Sequence, residues 1–180
     1  MASATRSRGE LAPSNQRLIQ RCGSVSTTQS QSAPNSFFTP DAAVASDQKL
    51  ETAAGISLGN NQNSLSFYHK YVSQAGFDGG VVEVSTDNGT TWNDLGQKIV
   101  SGYYNSKLAS GTNNPLALRS AWSGNSNNFV RSTVDLSAYA NQNIKLRFRF
   151  GSNNSVAGTG WNVDDIVVKN EAVVNIRTNL

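Results

Sequence analysis

The chain has 180 residues, 37% hydrophobic and 15% charged, with a formal net charge of +3 and one cysteine. No apolar stretch reaches the ~18 residues that a membrane-spanning helix needs. Arg6, Arg8, Arg17 and Arg21 against Glu10 confine the whole excess charge to the first 36 residues, so the rest is neutral and lacks the clustered cations of a nucleic-acid surface.

Met1 to Ser36 is polar and Ser/Gln-rich, and is expected to be a disordered or loosely attached tail. Leu11 and the Leu18-Ile19 pair offer at most one helical turn. The segment lacks the apolar run of a signal peptide, so for a secreted module either the chain is a fragment of a longer precursor, the favoured expectation, or its start is artificial. Cys22 lies in the tail; one thiol builds neither an intrachain disulfide nor a thiolate metal cage.

Residues 37–168 hold nearly all the aromatic side chains and are the expected folded unit. Phe37-Phe38 and the loop from Asp41 to Leu50 belong to it. Leu65 to Val72 places Leu65, Phe67, His69 and Tyr71 on one face of a strand, and Gly80 to Thr86 is the next strand. Asp87-Asn88-Gly89 is a tight-hairpin signal, because Asn and Gly accept positive φ. Gly102 to Asn128 is too long for a turn and is expected to cover one face or end of the fold. Ile144 to Phe150 alternates four apolar residues with three cations, the pattern of a half-buried antiparallel strand. Val163 to Val168 follows as another strand, with shorter ones at Ile56-Leu58, Lys98-Val100 and Phe129-Val134. Residues 169–180 read as an edge strand or a linker. Helix signals are nearly absent, and the fold class is all-β, an antiparallel β-sandwich of jelly-roll type.

Catalytic chemistry finds little material. The single histidine, His69, sits mid-strand among apolar neighbours, which favours a packing role over a triad or a zinc site. Asp164 and Asp165 are adjacent in a strand and are expected to face opposite ways, so they cannot pair across a glycosidic bond. Calcium is the cofactor that the oxygen donors admit, with Asp47, Asp78, Asp164 and Asp165 as candidate ligands beside Asp41; the alternative is a hydrogen-bonded or arginine-paired aspartate. Asp78-Gly79-Gly80 also reads as a tight bend whose glycines relieve backbone strain. Tyr103, Tyr104 and Trp122 in the long polar loop are the ligand-binding candidates, as platforms for sugar rings, whereas Trp161 leads into a core strand and is expected to be buried. Asn88-Gly89-Thr90 and Asn153-Asn154-Ser155 match the N-glycosylation pattern, a match that would be chance in a bacterial protein.

The ordered series Phe67-Tyr68-His69-Lys70-Tyr71, Phe77-Asp78-Gly79-Gly80, Thr86-Asp87-Asn88-Gly89, Gly102-Tyr103-Tyr104, Ala121-Trp122-Ser123-Gly124, Val134-Asp135-Leu136-Ser137 and Gly160-Trp161-Asn162-Val163-Asp164-Asp165-Ile166 resembles the MAM-like jelly-roll accessory domain of secreted bacterial proteins. Such domains sit beside peptidases of the fungalysin, thermolysin or subtilisin type. The resemblance implies an extracellular or cell-surface setting, no active site in this module, and a structural metal near the chain ends with the Asp-Asp-Ile carboxylate as a ligand. Partners are then neighbouring domains of a parent protein, a glycan or a protein surface, with no nucleic acid and no membrane span. Three roles compete: accessory module of a secreted enzyme such as a metallopeptidase, carbohydrate-binding or adhesion module using the Tyr103–Trp122 loop, and structural spacer.

Overall fold

A computed structural model describes residues 18–20, 24–60 and 62–171 of the protein. In chain order the first strands are β1 (Leu18–Gln20), β2 (Ser24–Ser26), β3 (Ser36–Pro40), β4 (Ser46–Thr52), β5 (Ile56–Ser57), β6 (Gln62–Val72) and β7 (Gly79–Ser85). They are followed by β8 (Asn93–Asp94), β9 (Ile99–Ser101), β10 (Ser106–Lys107), β11 (Ser120–Ala121), β12 (Val130–Asp135), β13 (Asn143–Ser152) and β14 (Gly160–Glu171). One sheet runs β1-β4-β13-β7-β8, with β5 pairing the start of β13; the other runs β2-β3-β14-β6-β12-β9. Every pairing is antiparallel, and β10–β11 form a separate hairpin within the long loop. The result is the antiparallel β-sandwich of jelly-roll type that the sequence leads one to expect.

Alternation explains the core. Leu65, Phe67, His69 and Tyr71 of β6 face Ile144, Leu146, Phe148 and Phe150 of β13, with Val82 and Val84 of β7 and Trp161 and Val163 of β14 filling the same layer. Burying a side chain of this size contributes roughly 1.5–3 kcal/mol, so these strands carry most of the driving force for folding. The outward residues of β13 depart from expectation. Lys145, Arg147 and Arg149 do not form a simply solvated face: Arg147 is buried, bonded to Glu83 and Glu51 and covered by the Trp92 ring 4.2 Å from its guanidinium carbon.

The chain joins the sheets earlier than residue 37. β2 pairs with β3 at Ser24↔Phe38, and β1 pairs with β4, so Leu18 and Ile19 lie in a strand and not in a helical turn. Leu11 lies outside the described residues, as do Cys22 and residues 172–180. β4 was expected as loop, because only Leu50 in Ser-Asp-Gln-Lys-Leu-Glu-Thr is apolar; its inward positions are instead Gln48, Leu50 and Thr52. At the other end, residues 169–171 continue β14 against β6, and β14 lies between β3 and β6.

Asn88 and Gly89 take φ of 60° and 95°, as the hairpin signal requires. Gly79 and Gly80 serve a different purpose from strain relief, since neither has a positive φ. A Cβ on Gly80 would lie 2.7 Å from the Trp161 ring and one on Gly79 2.5 Å from the Trp122 carbonyl, so the need is for space.

His69 is fully buried and its tautomer follows from its partners. The Trp161 indole N–H donates to Nδ1 at 3.1 Å, so the proton is on Nε2 and is donated to the Ser132 hydroxyl at 3.0 Å. That hydroxyl in turn donates to the Gly102 carbonyl at 2.7 Å, which also accepts the Trp122 indole N–H. Burial holds the His69 pKa down to about 3 from 6.5. The unfolded chain therefore takes the proton first, and the stability this neutral ring contributes is complete above pH 6.5 and shrinks as pH falls toward 3. In an NMR titration the ring resonance of this single histidine is expected to keep its neutral position to about pH 4; a midpoint near its unperturbed value would contradict the burial.

Candidate functional site

The long loop from Gly102 to Asn128 leaves the His69 network, wraps the β7 edge and returns. Trp122 forms a bridge to Gly80 with backbone bonds of 2.9 Å in both directions, which fastens the loop along β7. Leu108, Leu116 and Ala121 then pack on the outward Val81 as a second small core. The loop thus covers part of one sheet's outer face, and it builds one wall of an open groove of about 790 Å³. Asp94, Gly96, Gln97 and Ile99 form the opposite wall, facing Tyr103, Tyr104, Lys107 and Arg119.

The groove rests on a buried carboxylate. Glu83 of β7 is 2% exposed and receives Arg119 at 2.6 Å and Arg147 at 2.5 Å. Arg119 also reaches Asp94 at 2.6 Å, and Asp94 accepts the Gly96 N–H and the Tyr104 hydroxyl at 2.7 and 3.0 Å. The Tyr104 hydroxyl accepts the Val82 N–H at 3.0 Å, and its ring meets Trp122 edge-on at 4.6 Å. Burial, then the Asp94 charge, pushes the Tyr104 phenol well above its ordinary range, so it stays neutral and donating. Tyr104 is therefore groove floor rather than a free platform.

Of the three expected ligand contacts, only Tyr103 stands free. It is 62% exposed, and its hydroxyl donates to the Val100 carbonyl at 2.8 Å, which fixes the ring beside the groove. Trp122 is 1% exposed and packs against Phe67, His69, Tyr104 and Trp161, so it cannot offer a face to a ligand. Trp161 is buried as expected. Arg119 and Asp94 were not foreseen: neither belongs to a charge cluster in the sequence, and only the fold pairs them, with Arg119 bridging Asp94 to Glu83.

The aspartates divide. Asp47 is bonded twice by Arg149, at 2.6 and 3.0 Å, and once by Lys49 at 2.9 Å. Partial burial opposes its ionisation, but these hydrogen bonds outweigh it and hold the carboxyl below its usual range. Asp164 and Asp165 were expected on opposite faces, yet a β-bulge at Asp165, with φ of 46°, turns both toward one neighbour. Asp164 accepts the Gln31 and Ser32 N–H groups at 2.7 and 3.1 Å, and Asp165 accepts the Ser32 hydroxyl at 2.5 Å. These two carboxylates clasp the segment before β3. Asp78 instead lies with Asp41. Burial and then the Asp78 charge raise Asp41 to about 6, and burial raises Asp78 as well. Among the described residues no group of three or more His, Cys, Asp and Glu side chains converges.

Glu83→Ala is expected to lower unfolding stability by about 3 kcal/mol, because it strands Arg119 and Arg147 without their shared partner. Urea denaturation at neutral pH checks this, and a loss below about 1 kcal/mol would remove Glu83 as the support of the groove.

No family model matches the chain. A 51-residue stretch, 28% of the chain, is 35% identical to Bacillopeptidase F of Bacillus subtilis (strain 168), of which it spans 4%. Among solved structures, the carbohydrate-binding module TmCBM61 in complex with β-1,4-galactotriose aligns at TM-score 0.51 and 11% identity, over 88% of this chain and 90% of that one. The Endo-D glycoside hydrolase domain of Streptococcus pneumoniae R6 aligns at TM-score 0.50 and 15% identity, over 87% of this chain and 22% of that one. The fold is that of a carbohydrate-binding-module-like β-sandwich.

Proposed function

We propose that the protein is a non-catalytic binding module that acts outside the cell and takes a glycan in the groove between Asp94–Ile99 and Tyr103–Lys107. The observation that carries this reading is the Tyr103 ring, exposed and held by its own hydroxyl beside a groove of mixed polar and apolar lining. Sugar recognition needs an apolar plate for the C–H face of the ring and polar groups for its hydroxyls. Tyr103 supplies the plate. Exposed Gln97 and Lys107 and the remaining N–H groups of Arg119 supply the donors, and Asp94 supplies an acceptor. The similarity to a module solved with β-1,4-galactotriose supports the choice of first probe.

A second reading joins the first. The segment shared with Bacillopeptidase F favours a module that accompanies a peptidase, where glycan capture would hold the enzyme at its substrate. The MAM-like assignment belongs to the same proposal.

Calorimetric titration with β-1,4-galactotriose and a panel of other oligosaccharides tests the groove. Tyr103→Ala is expected to weaken binding by about ten-fold, or ~1.4 kcal/mol, with the melting temperature unchanged. Unaltered affinity in that variant, or no binding to any member of the panel, would overturn the assignment.

A further inference from the structure

Asp41 follows β3 and Asp78 precedes β7, yet they meet where the β3–β4, β6–β7 and β13–β14 connections converge. Asp41 is 4% exposed and Asp78 is fully buried. One oxygen of each is satisfied: Asp41 Oδ2 accepts the Gly158 N–H at 3.0 Å, and Asp78 Oδ1 accepts the Asn153 N–H at 2.6 Å. The other oxygens, Asp41 Oδ1 and Asp78 Oδ2, have no hydrogen-bond partner. No lysine, arginine or histidine contributes at either carboxylate among the described residues.

The contrast with the other aspartates is sharp. Asp47 and Asp94 have arginines, and Asp164 has two backbone N–H groups. An orphaned buried carboxylate oxygen costs several kcal/mol, and a like charge beside it adds to the cost. Two such groups, near enough for the Asp78 charge to act on Asp41, call for a shared positive partner.

We propose that Asp41 and Asp78 form a binding site for a hard divalent cation of the calcium class, which ties three loops of the sandwich together. Two carboxylates without a third acidic, thiol or imidazole donor do not suit zinc. They suit an ion that fills its shell with amide and backbone carbonyl oxygens and water. Such oxygens are at hand. A Cβ on Gly158 would lie 2.2 Å from the Val72 carbonyl oxygen and 2.8 Å from Asp41 Oδ2, so those two oxygens flank the same point. Gln74 touches both sides: its backbone N–H acts on Asp41, its carbonyl accepts the Asp78 N–H at 3.0 Å, and its Oε1 accepts Asn153 and Ser155 at 3.1 and 2.7 Å. This set differs from the one implied by the resemblance, since Asp47, Asp164 and Asp165 are engaged elsewhere. The proposal is independent of the glycan reading.

The test uses the full chain stripped with a chelator, then titrated with calcium chloride or magnesium chloride by calorimetry and thermal melting. Calcium at about a hundred times its dissociation constant is expected to raise the melting temperature by roughly 5–10 °C, and magnesium by less. Asp78→Asn and, as a second variant, Asp41→Asn are expected to lose the calcium heat and the shift, while the stripped variants melt no lower than the stripped wild type. Unchanged melting of the wild type with calcium would overturn the proposal. So would a calcium response that survives in both variants, or stripped variants that melt well below the stripped wild type, which would make the pair a proton-sharing structural element.

Discussion

The outer face of one sheet depends on the Glu83 carboxylate. It is buried in the middle of β7 with three arginines aimed at it, Arg119 and Arg147 at hydrogen-bond distance and Arg149 at 3.7 Å. Buried charge is tolerated when it is paired and hydrogen-bonded, and Glu83 has each oxygen bonded to an arginine by recruiting β13 and the long loop. Arg147 is thereby fixed under Trp92, and Arg119 is fixed to Asp94. The same contacts that neutralise one carboxylate set the distance between the two walls of the groove.

A second polar chain works inside the sandwich. Trp161, His69, Ser132 and the Gly102 carbonyl are linked donor to acceptor, and Gly102 is where the long loop begins. The loop is thus tied to the core at its root by this chain, along β7 by the Trp122 bridge, and outside by Arg119. A segment of 27 residues with few apolar side chains would otherwise bury too little to stay in place. These anchors fix Tyr103 beside the groove, and such rigidity would lower the entropy lost on binding the proposed ligand there.

How much of this was legible follows from the range of each interaction. β6 and β13 were readable because alternation is local and their inward residues are apolar, and the β7–β8 hairpin was readable from Asn88-Gly89. β4 was not, since Gln48 and Thr52 do in its core-facing positions what apolar residues do elsewhere. The bulge at Asp165 was hidden for a related reason: a strand gives no sequence sign of one extra residue when an aspartate takes the positive φ. In the site, Tyr103 was found from its polar surroundings. Trp122 shared those surroundings, and only its pairing with Gly80 buries it. Asp41 and Asp78 each stood out as carboxylates near turns, but their meeting is a product of topology.

The groove between Asp94–Ile99 and Tyr103–Lys107 is the proposed glycan site. Backbone amide NMR of the labelled chain titrated with β-1,4-galactotriose addresses it most directly, because it reports location without altering a residue. The perturbed amides are expected to cluster at residues 94–107 and 119–120, over the groove. A cluster centred on another surface of the sandwich, or on the outer face of β3 and β2, would contradict it.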